Sequence, residues 1–335
     1  SYSVTGVQTC ALPIWKPVYY RGGDRVFRRV STALNTKSDL ENKSIRKILK
    51  PAGIVFILFT YTLGISAARY LGGKIVWLDA LTGLIICLLI RDMRNFLAAY
   101  FDHPESFQST INRSDPDWEN LINIRRGVLL LYSLLTLTAG ATLTTVLIVR
   151  GVFNLSSIIL LGIAFLLNFF SATPTLFLLR KGYEELVDAL YVANLVPAIA
   201  FSLVMHSPSL LIVELTIPLT FVYLAMKIAI DFKTYGFDSS HGRPSLTTLL
   251  GWQKALIIHN LFILLAFVFL SLFLLSGLPW SLTWPPLLAL PIGILQIVHL
   301  QNIANGAKPK WRYLNWLAVG AFLLMSYLII ISLWL

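Results

Sequence analysis

Long, predominantly apolar runs recur along almost the whole of this 335-residue chain. Many of them exceed about 18 residues, the length that crosses roughly 30 Å of hydrocarbon. Backbone polar groups in lipid must be satisfied within a helix or within a closed barrel, and a barrel strand needs only about 9–11 residues. The runs are too long for strands, so they read as helices. The chain is therefore expected to be an all-α, polytopic membrane protein of about nine transmembrane helices. The expected spans are Ala52 to Leu71, Ile75 to Tyr100, Val128 to Val149, Leu155 to about Leu179, Leu186 to Met205, Leu210 to Ile230, Ala255 to Leu275, Leu282 to Leu300 and Leu314 to Leu335. Gly72-Gly73, Ser207-Pro208, Gly277-Leu278-Pro279 and Lys308-Pro309 separate them as turn residues do. Pro174 leaves the boundary between the fourth and fifth spans open.

Only 13% of the residues are charged, about half the share of a soluble domain. The net charge of +11 invites a nucleic-acid reading, but the distribution of the charge argues against one. Ten of the 27 Lys and Arg residues lie between Lys16 and Lys50, and most others fall in alternate loops. Such scattering sets membrane topology rather than binding a polynucleotide. Counted loop by loop, the N-terminal side holds 24 basic residues and the opposite side holds three, Arg69, Lys74 and Arg150. The positive-inside rule then puts the N-terminus in the cytoplasm, in a bacterial-type inner or plasma membrane, with the C-terminus outside. Residues 1–14, which include Cys10, read as an adapter-derived artefact. Residues 15–50 form a basic cytoplasmic segment, and 51–335 form the transmembrane domain. Cys87 reads as a small buried hydrophobe. Trp280, Trp284, Trp311 and Trp316 sit near span ends, where an interfacial aromatic belt would place them.

Ionisable residues at membrane depth are costly, so their positions carry information. Two acidic clusters stand at the cytoplasmic ends of the second and sixth spans. The first contains Asp92, Asn95, Asp102 and Glu105, with Arg91 and Arg94. The second contains Asp231 and Asp238 with Lys227, Lys233, His241 and Arg243. If helix continues through both, Asn95, Ala99 and Asp102 share one face, as do Asp231, Thr234 and Asp238. Facing carboxylates suit a hard cation such as Mg²⁺, which takes one or two carboxylates plus phosphate oxygens. A diphosphate is the anion that fits beside it. The same charges would equally make solvated ion pairs at helix ends. His259, His299 and Glu214 read first as hydrogen-bonded interior groups and second as acceptor contacts.

From Lys50 onward the sequence resembles the UbiA superfamily of intramembrane prenyltransferases. That family's first motif runs Asn-Asp-x-x-Asp-x-x-x-Asp at the end of the second helix. Here NFLAAYFD keeps Asn95, Tyr100, Phe101 and Asp102, while Ala98, Ala99 and Ser106 stand at three motif positions. The second motif is Asp-x-x-x-Asp followed by Gly, a basic residue and Thr or Ser. Here Asp238, Gly242, Arg243, Ser245 and the closing Gly251 are kept, Thr234 replaces the first Asp, and Asp231 lies three residues earlier. Lys50-Pro51 and the RKGYEEL string from Arg180 to Leu186 match further family strings.

The resemblance implies a UbiA-like helical bundle with both acidic loops on the cytoplasmic side. It implies Mg²⁺-dependent transfer of an isoprenyl group from an isoprenyl diphosphate to an aromatic or quinone-precursor acceptor within membrane lipid. Asp102 and Asp238 are then the expected Mg²⁺ ligands, supported by Asn95 and Asp231. Lys227, Lys233, Arg243, Arg91 and Arg94 are expected to bind diphosphate, and Tyr100, Tyr223 and Tyr235 to face the prenyl cation. The replaced acids favour an alternative, a non-catalytic prenyl-lipid or quinone binder of the same descent. A secondary transporter would place charges near mid-bilayer, whereas most here gather at one edge.

Overall fold

The computed structural model describes residues 44–45, 48–103, 124–173, 182–241, 244–275 and 277–335, and these are helices joined by turns. The adapter-like stretch, most of the basic N-terminal segment, Glu105, Ser106, Pro174, Arg180, Gly242 and Arg243 lie outside the described residues. In chain order the helices are α1 (Ala52–Tyr70), α2 (Trp77–Asp102), α3 (Arg126–Val149), α4 (Leu155–Ala172), α5 (Glu184–Met205) and α6 (Leu210–Asp231). They continue as α7 (Tyr235–His241), α8 (Leu246–Leu250), α9 (Trp252–Leu272), α10 (Trp280–Leu287), α11 (Leu290–Ala304) and α12 (Trp311–Ser332).

Among the described residues, eight helical stretches are long and apolar enough to cross a membrane, with α10 and α11 counted as one. α2 is long enough, at 26 residues, but it carries Asp79, Arg91, Asp92, Arg94 and Asp102 and is not apolar enough to count. The nine expected spans thus correspond to eight apolar ones and a charged ninth. The eighth expected span is two helices meeting at Leu288 and Ala289, because Pro285, Pro286 and Pro291 remove backbone donors there.

Burial sorts the helices into a centre and a rim. In α5, 78% of the apolar stretch is buried, against 17% in α3, so α5 is the axis of the bundle and α3 lies outside. On α9, Ile257, Leu261, Leu264, Val268 and Leu272 are exposed at helical spacing, an apolar stripe of the kind that a membrane-spanning helix turns to lipid. Close helix contact inside relies on small residues, as lipid-embedded packing requires. A Cβ on Gly64 of α1 would collide with the Pro197 carbonyl and Ala200 of α5, so the glycine lets the two helices meet.

α5 is not a regular helix. Ala189–Leu195 is a π-helical segment, and the Val196 N–H bonds the Tyr191 carbonyl five residues back. Pro197 follows, with no N–H to give the Ala193 carbonyl and a ring that would crowd it, so the helix widens instead of kinking. The widened turns project Tyr191, whose hydroxyl donates to the Cys87 carbonyl of α2, and Asn194, whose amide donates to Thr220 Oγ1 of α6 at 2.5 Å. Cys87 itself is fully buried and free, as a small hydrophobe would be.

Candidate functional site

At the end of the bundle where α1 begins, four elements bring charges into one layer, buried at Arg91, Arg94 and Asp188 and open at Lys50. α2 contributes Arg91 and Arg94, α5 contributes Glu184 and Asp188, α6 contributes Lys227, and Lys50 precedes α1. Asp188 is 7% exposed and each of its oxygens holds a different cation: Arg94 Nη2 at 2.5 Å from Oδ1, and Lys227 Nζ at 2.5 Å from Oδ2. Lys50 pairs with Glu184. Arg91 donates from Nη2 to the Lys50 carbonyl at 2.5 Å, and its Nη1 lies 3.3 Å from Asp92 Oδ1. Gly53 permits that arrangement, because a Cβ there would run into the Arg91 guanidinium.

Within these ion pairs four cations stand against three carboxylates, an excess of one positive charge before Asp231, which interacts with Lys227, and its neighbour Glu185 are counted. The excess has an address. Arg94 is 3% exposed, and its Nε and Nη1 have no hydrogen-bond partner among the described residues. Buried donors without partners cost about 1–3 kcal/mol each, more when charged, and guanidinium donors of this kind are chemically suited to anionic oxygen.

One turn deeper than Lys227, Tyr223 lies with its ring centroid 5.8 Å from Lys227 Nζ. Its ring meets Phe56 edge-on at 5.8 Å and Phe322 at 5.0 Å, and the latter two contact each other at 5.4 Å. A cationic layer therefore sits on a wall of three aromatic rings.

The expected acids lie beside and above this layer. Asp102 closes α2 and is half-buried, eight residues and about 12 Å along the axis beyond Arg94. Asn95 is half-buried on the same helix. Asp231 closes α6, and its Oδ2 is buried without a partner among the described residues. Asp238 lies in α7, is 5% exposed, and its Oδ1 is likewise without a hydrogen-bond partner there. The single helical face expected for Asp231, Thr234 and Asp238 is not formed. α6 ends at Asp231, the Lys233 and Thr234 amides turn back to carbonyls three residues earlier, and α7 starts afresh at Tyr235. Glu185, 5% exposed, reaches toward Asp231 and accepts from the Leu246 amide of α8 at 3.3 Å. Ser245 and Thr248 cap α8 reciprocally.

The remaining expected residues have these surroundings. Lys233 is exposed. The Tyr100 ring lies 4.3 Å from the Arg126 guanidinium carbon. Tyr235 packs on Trp252 at 5.6 Å and accepts from its backbone amide at 3.3 Å. His259 is an interior group between α9 and α11, with Nδ1 2.9 Å from Asn260 Oδ1 and Nε2 2.8 Å from Gln296 Nε2. At the opposite end of the bundle, Arg150 pairs with Asp79 at 2.7 Å.

Solved structures with this arrangement of helices are known. A UbiA homologue from Archaeoglobus fulgidus bound to GPP and Mg²⁺ superposes with a TM-score of 0.61 over 87% of this chain and 98% of that one, at 15% identity. The apo structure of a UbiA homologue from Aeropyrum pernix K1 gives 0.57 over 83% and 98%, at 15% identity. A digeranylgeranylglyceryl phosphate synthase gives 0.57 over 89% and 97%, at 16% identity. The chain has the UbiA fold. No family model matches its sequence, and no curated protein does either.

Within the UbiA fold, reasoning from motifs reached Arg91, Arg94 and Lys227, noted Glu184 and Glu185 only as part of the RKGYEEL string without a role, and passed over Asp188. Asp188 was visible as a carboxylate between Val187 and Ala189 inside an apolar span, where an ionisable group needs a reason to be. What the sequence does not display is that its partners stand on α2 and α6.

Proposed function

We propose that this protein is a divergent UbiA-superfamily prenyltransferase that binds an isoprenyl diphosphate at the basic end of the bundle and transfers the prenyl group to an aromatic or quinone-precursor acceptor. The observation that carries the reading is the Arg94 guanidinium, whose Nε and Nη1 have no partner among the described residues, buried beside Lys227 and above the Tyr223, Phe56 and Phe322 rings. Cations over an aromatic wall suit a molecule with an anionic head and an apolar, cation-forming tail.

The acids fit one divalent ion that shares its coordination with phosphate, and they do not fit a cage made of protein alone. Asp231 and Asp238 each have a buried carboxylate oxygen without a hydrogen-bond partner among the described residues, and no group of three metal-binding side chains occurs among those residues. Asp238 and Asp102, supported by Asp231 and Asn95, would hold Mg²⁺, which supplies charge neutralisation to the departing diphosphate. Arg94 and Lys227 bind the phosphate oxygens and stabilise the negative charge that develops as the carbon–oxygen bond breaks. Arg91 adds to the positive field, and Arg243 and Lys233 are proposed to meet the diphosphate from the α7 side. Tyr223 offers its π face to the allylic cation, and the surrounding apolar helices exclude water until the acceptor attacks. Tyr100 and Tyr235 line the approach.

The test is release of diphosphate from geranyl or farnesyl diphosphate by the purified protein in lipid nanodiscs. Release should require Mg²⁺ and fall at least about 100-fold in Asp102→Asn and in Asp238→Asn, the scale on which a metal ligand contributes. Failure to bind any prenyl diphosphate with any divalent ion sinks the proposal. Ala98 and Ala99 at motif positions favour a second reading, a binder of prenyl diphosphate or quinone without catalysis. Tight binding with no release under any acceptor would select it.

A further inference from the structure

We infer that Asp188 is an internal stand-in for the anion: a carboxylate that neutralises Arg94 and Lys227 while the site is empty and that competes with phosphate for the same two cations. The inference rests on the diphosphate reading above and adds a residue that no motif assigns. Three observations lead to it. Both Asp188 oxygens are engaged, each at 2.5 Å from a cation, and the two cations come from different helices. All three groups are buried or nearly so, with side-chain exposures of 3% for Arg94, 9% for Asp188 and 21% for Lys227. And Arg94 Nε and Nη1 still have no partner among the described residues, so one carboxylate only half-satisfies the pair.

Two buried cations side by side without a counter-ion would be strongly unfavourable, because an uncompensated buried charge retains its full desolvation cost. Asp188 removes that cost but leaves Arg94 Nε and Nη1 without a partner among the described residues. A phosphate group brings more negative charge and more oxygens than a carboxylate. It therefore takes Arg94 through the Nη1 donors beside the Nη2 that holds Asp188, and draws Lys227 toward itself, loosening the grip of both on Asp188. Asp188 thus trades affinity for the integrity of the empty site, and its removal has opposite effects on the two.

The sign distinguishes this role from a plain structural ion pair. Inorganic diphosphate is titrated at fixed Mg²⁺ against the full chain in detergent, and the unfolding midpoint is followed. Asp188→Asn should lower the midpoint of the ligand-free protein, increase the gain produced by diphosphate beyond that of the wild type, and tighten the apparent Kd by about ten-fold, as expected for removing a competing charge in a partly desolvated site. Because Asp188→Asn leaves two buried cations unpaired and is prone to misfold, a second pair of variants is included. Lys227→Met leaves Arg94 matched one-to-one with Asp188 and should respond weakly. Adding Asp188→Asn to Lys227→Met restores the excess charge and should restore at least half of the wild-type gain.

A double variant no more responsive than Lys227→Met overturns the inference. So does an Asp188→Asn protein that folds yet responds less than the wild type. A wild type that does not respond while Asp188→Asn does would sink the prenyl diphosphate reading and leave Asp188 as the competing carboxylate. If neither responds, both fall.

Discussion

A guanidinium buried to 3% exposure, with two nitrogens lacking partners among the described residues, is costly unless something else uses the geometry. Arg94 offers a flat fork of N–H groups whose outer nitrogen holds Asp188, with Nε and Nη1 aimed elsewhere. Lysine in its place keeps the charge and loses the fork. Arg94→Lys is therefore expected to weaken binding of inorganic diphosphate by about 10- to 100-fold, the equivalent of one charge-assisted bond of about 1.5–3 kcal/mol. Calorimetric titration in detergent measures it, and unchanged affinity would mean that the site senses charge alone. At this scale the sequence displayed the cations and the motif acids Asp102 and Asp238, because their spacing survives substitution at Ala98, Ala99 and Thr234. It did not display Asp188, since nothing along the chain joins position 188 to positions 94 and 227. Tyr100 and Tyr235 were legible as aromatic and not as partners of Arg126 and Trp252, for the same reason.

Helices that pack in lipid gain no hydrophobic driving force against one another, so close approach of backbones matters more than in water. α1 and α5 meet at Gly64, where a Cβ would strike the Pro197 carbonyl, and Pro197 is also the residue that sets the π-helical turns beyond Asp188. A methyl group at this point has to move backbone. Gly64→Ala is expected to destabilise by about 1–3 kcal/mol, the range for overpacking a filled interior. Gly162→Ala in α4, where a Cβ meets nothing within 4 Å, should be neutral or stabilising by up to about 1 kcal/mol through helix propensity. Thermal unfolding of the two variants side by side checks the contrast, and equal midpoints would refute it. The apolar periodicity located most span ends within a few residues. It placed the end of the sixth span at Ile230, one residue short of Asp231; only the conditional continuation of helix to Asp238 fails, because Phe232, Lys233 and Thr234 make a turn with no proline or glycine to mark it, and the first glycine, Gly236, lies already inside α7. The π segment was hidden because its cause, Pro197, sits downstream of its effect.

Charge is distributed over the whole molecule in one direction, and the site shares that direction. The Arg94, Asp188 and Lys227 layer, the Lys50–Glu184 pair and the start of α12 all lie where α1 begins, because Trp334 at the far end of α12 donates to Ser66 near the end of α1. The opposite end holds Lys74, His206 and the Arg150–Asp79 pair. A prenyl diphosphate is made in water and carries a head that cannot cross the bilayer unaided, so a transferase must open its cationic end to the compartment that holds the substrate. The orientation expected from the 24-to-3 division of basic residues makes that compartment the cytoplasm. In a background with Cys10→Ser and Cys87→Ala, a membrane-impermeant maleimide added to intact cells should label Ser207→Cys at once and Lys310→Cys only after lysis, both positions being exposed. Labelling in the reverse order would point the cationic layer away from cytosolic diphosphates and Mg²⁺. The fold would stand, but the substrate would then have to be a lipid-borne phosphate delivered from the other side.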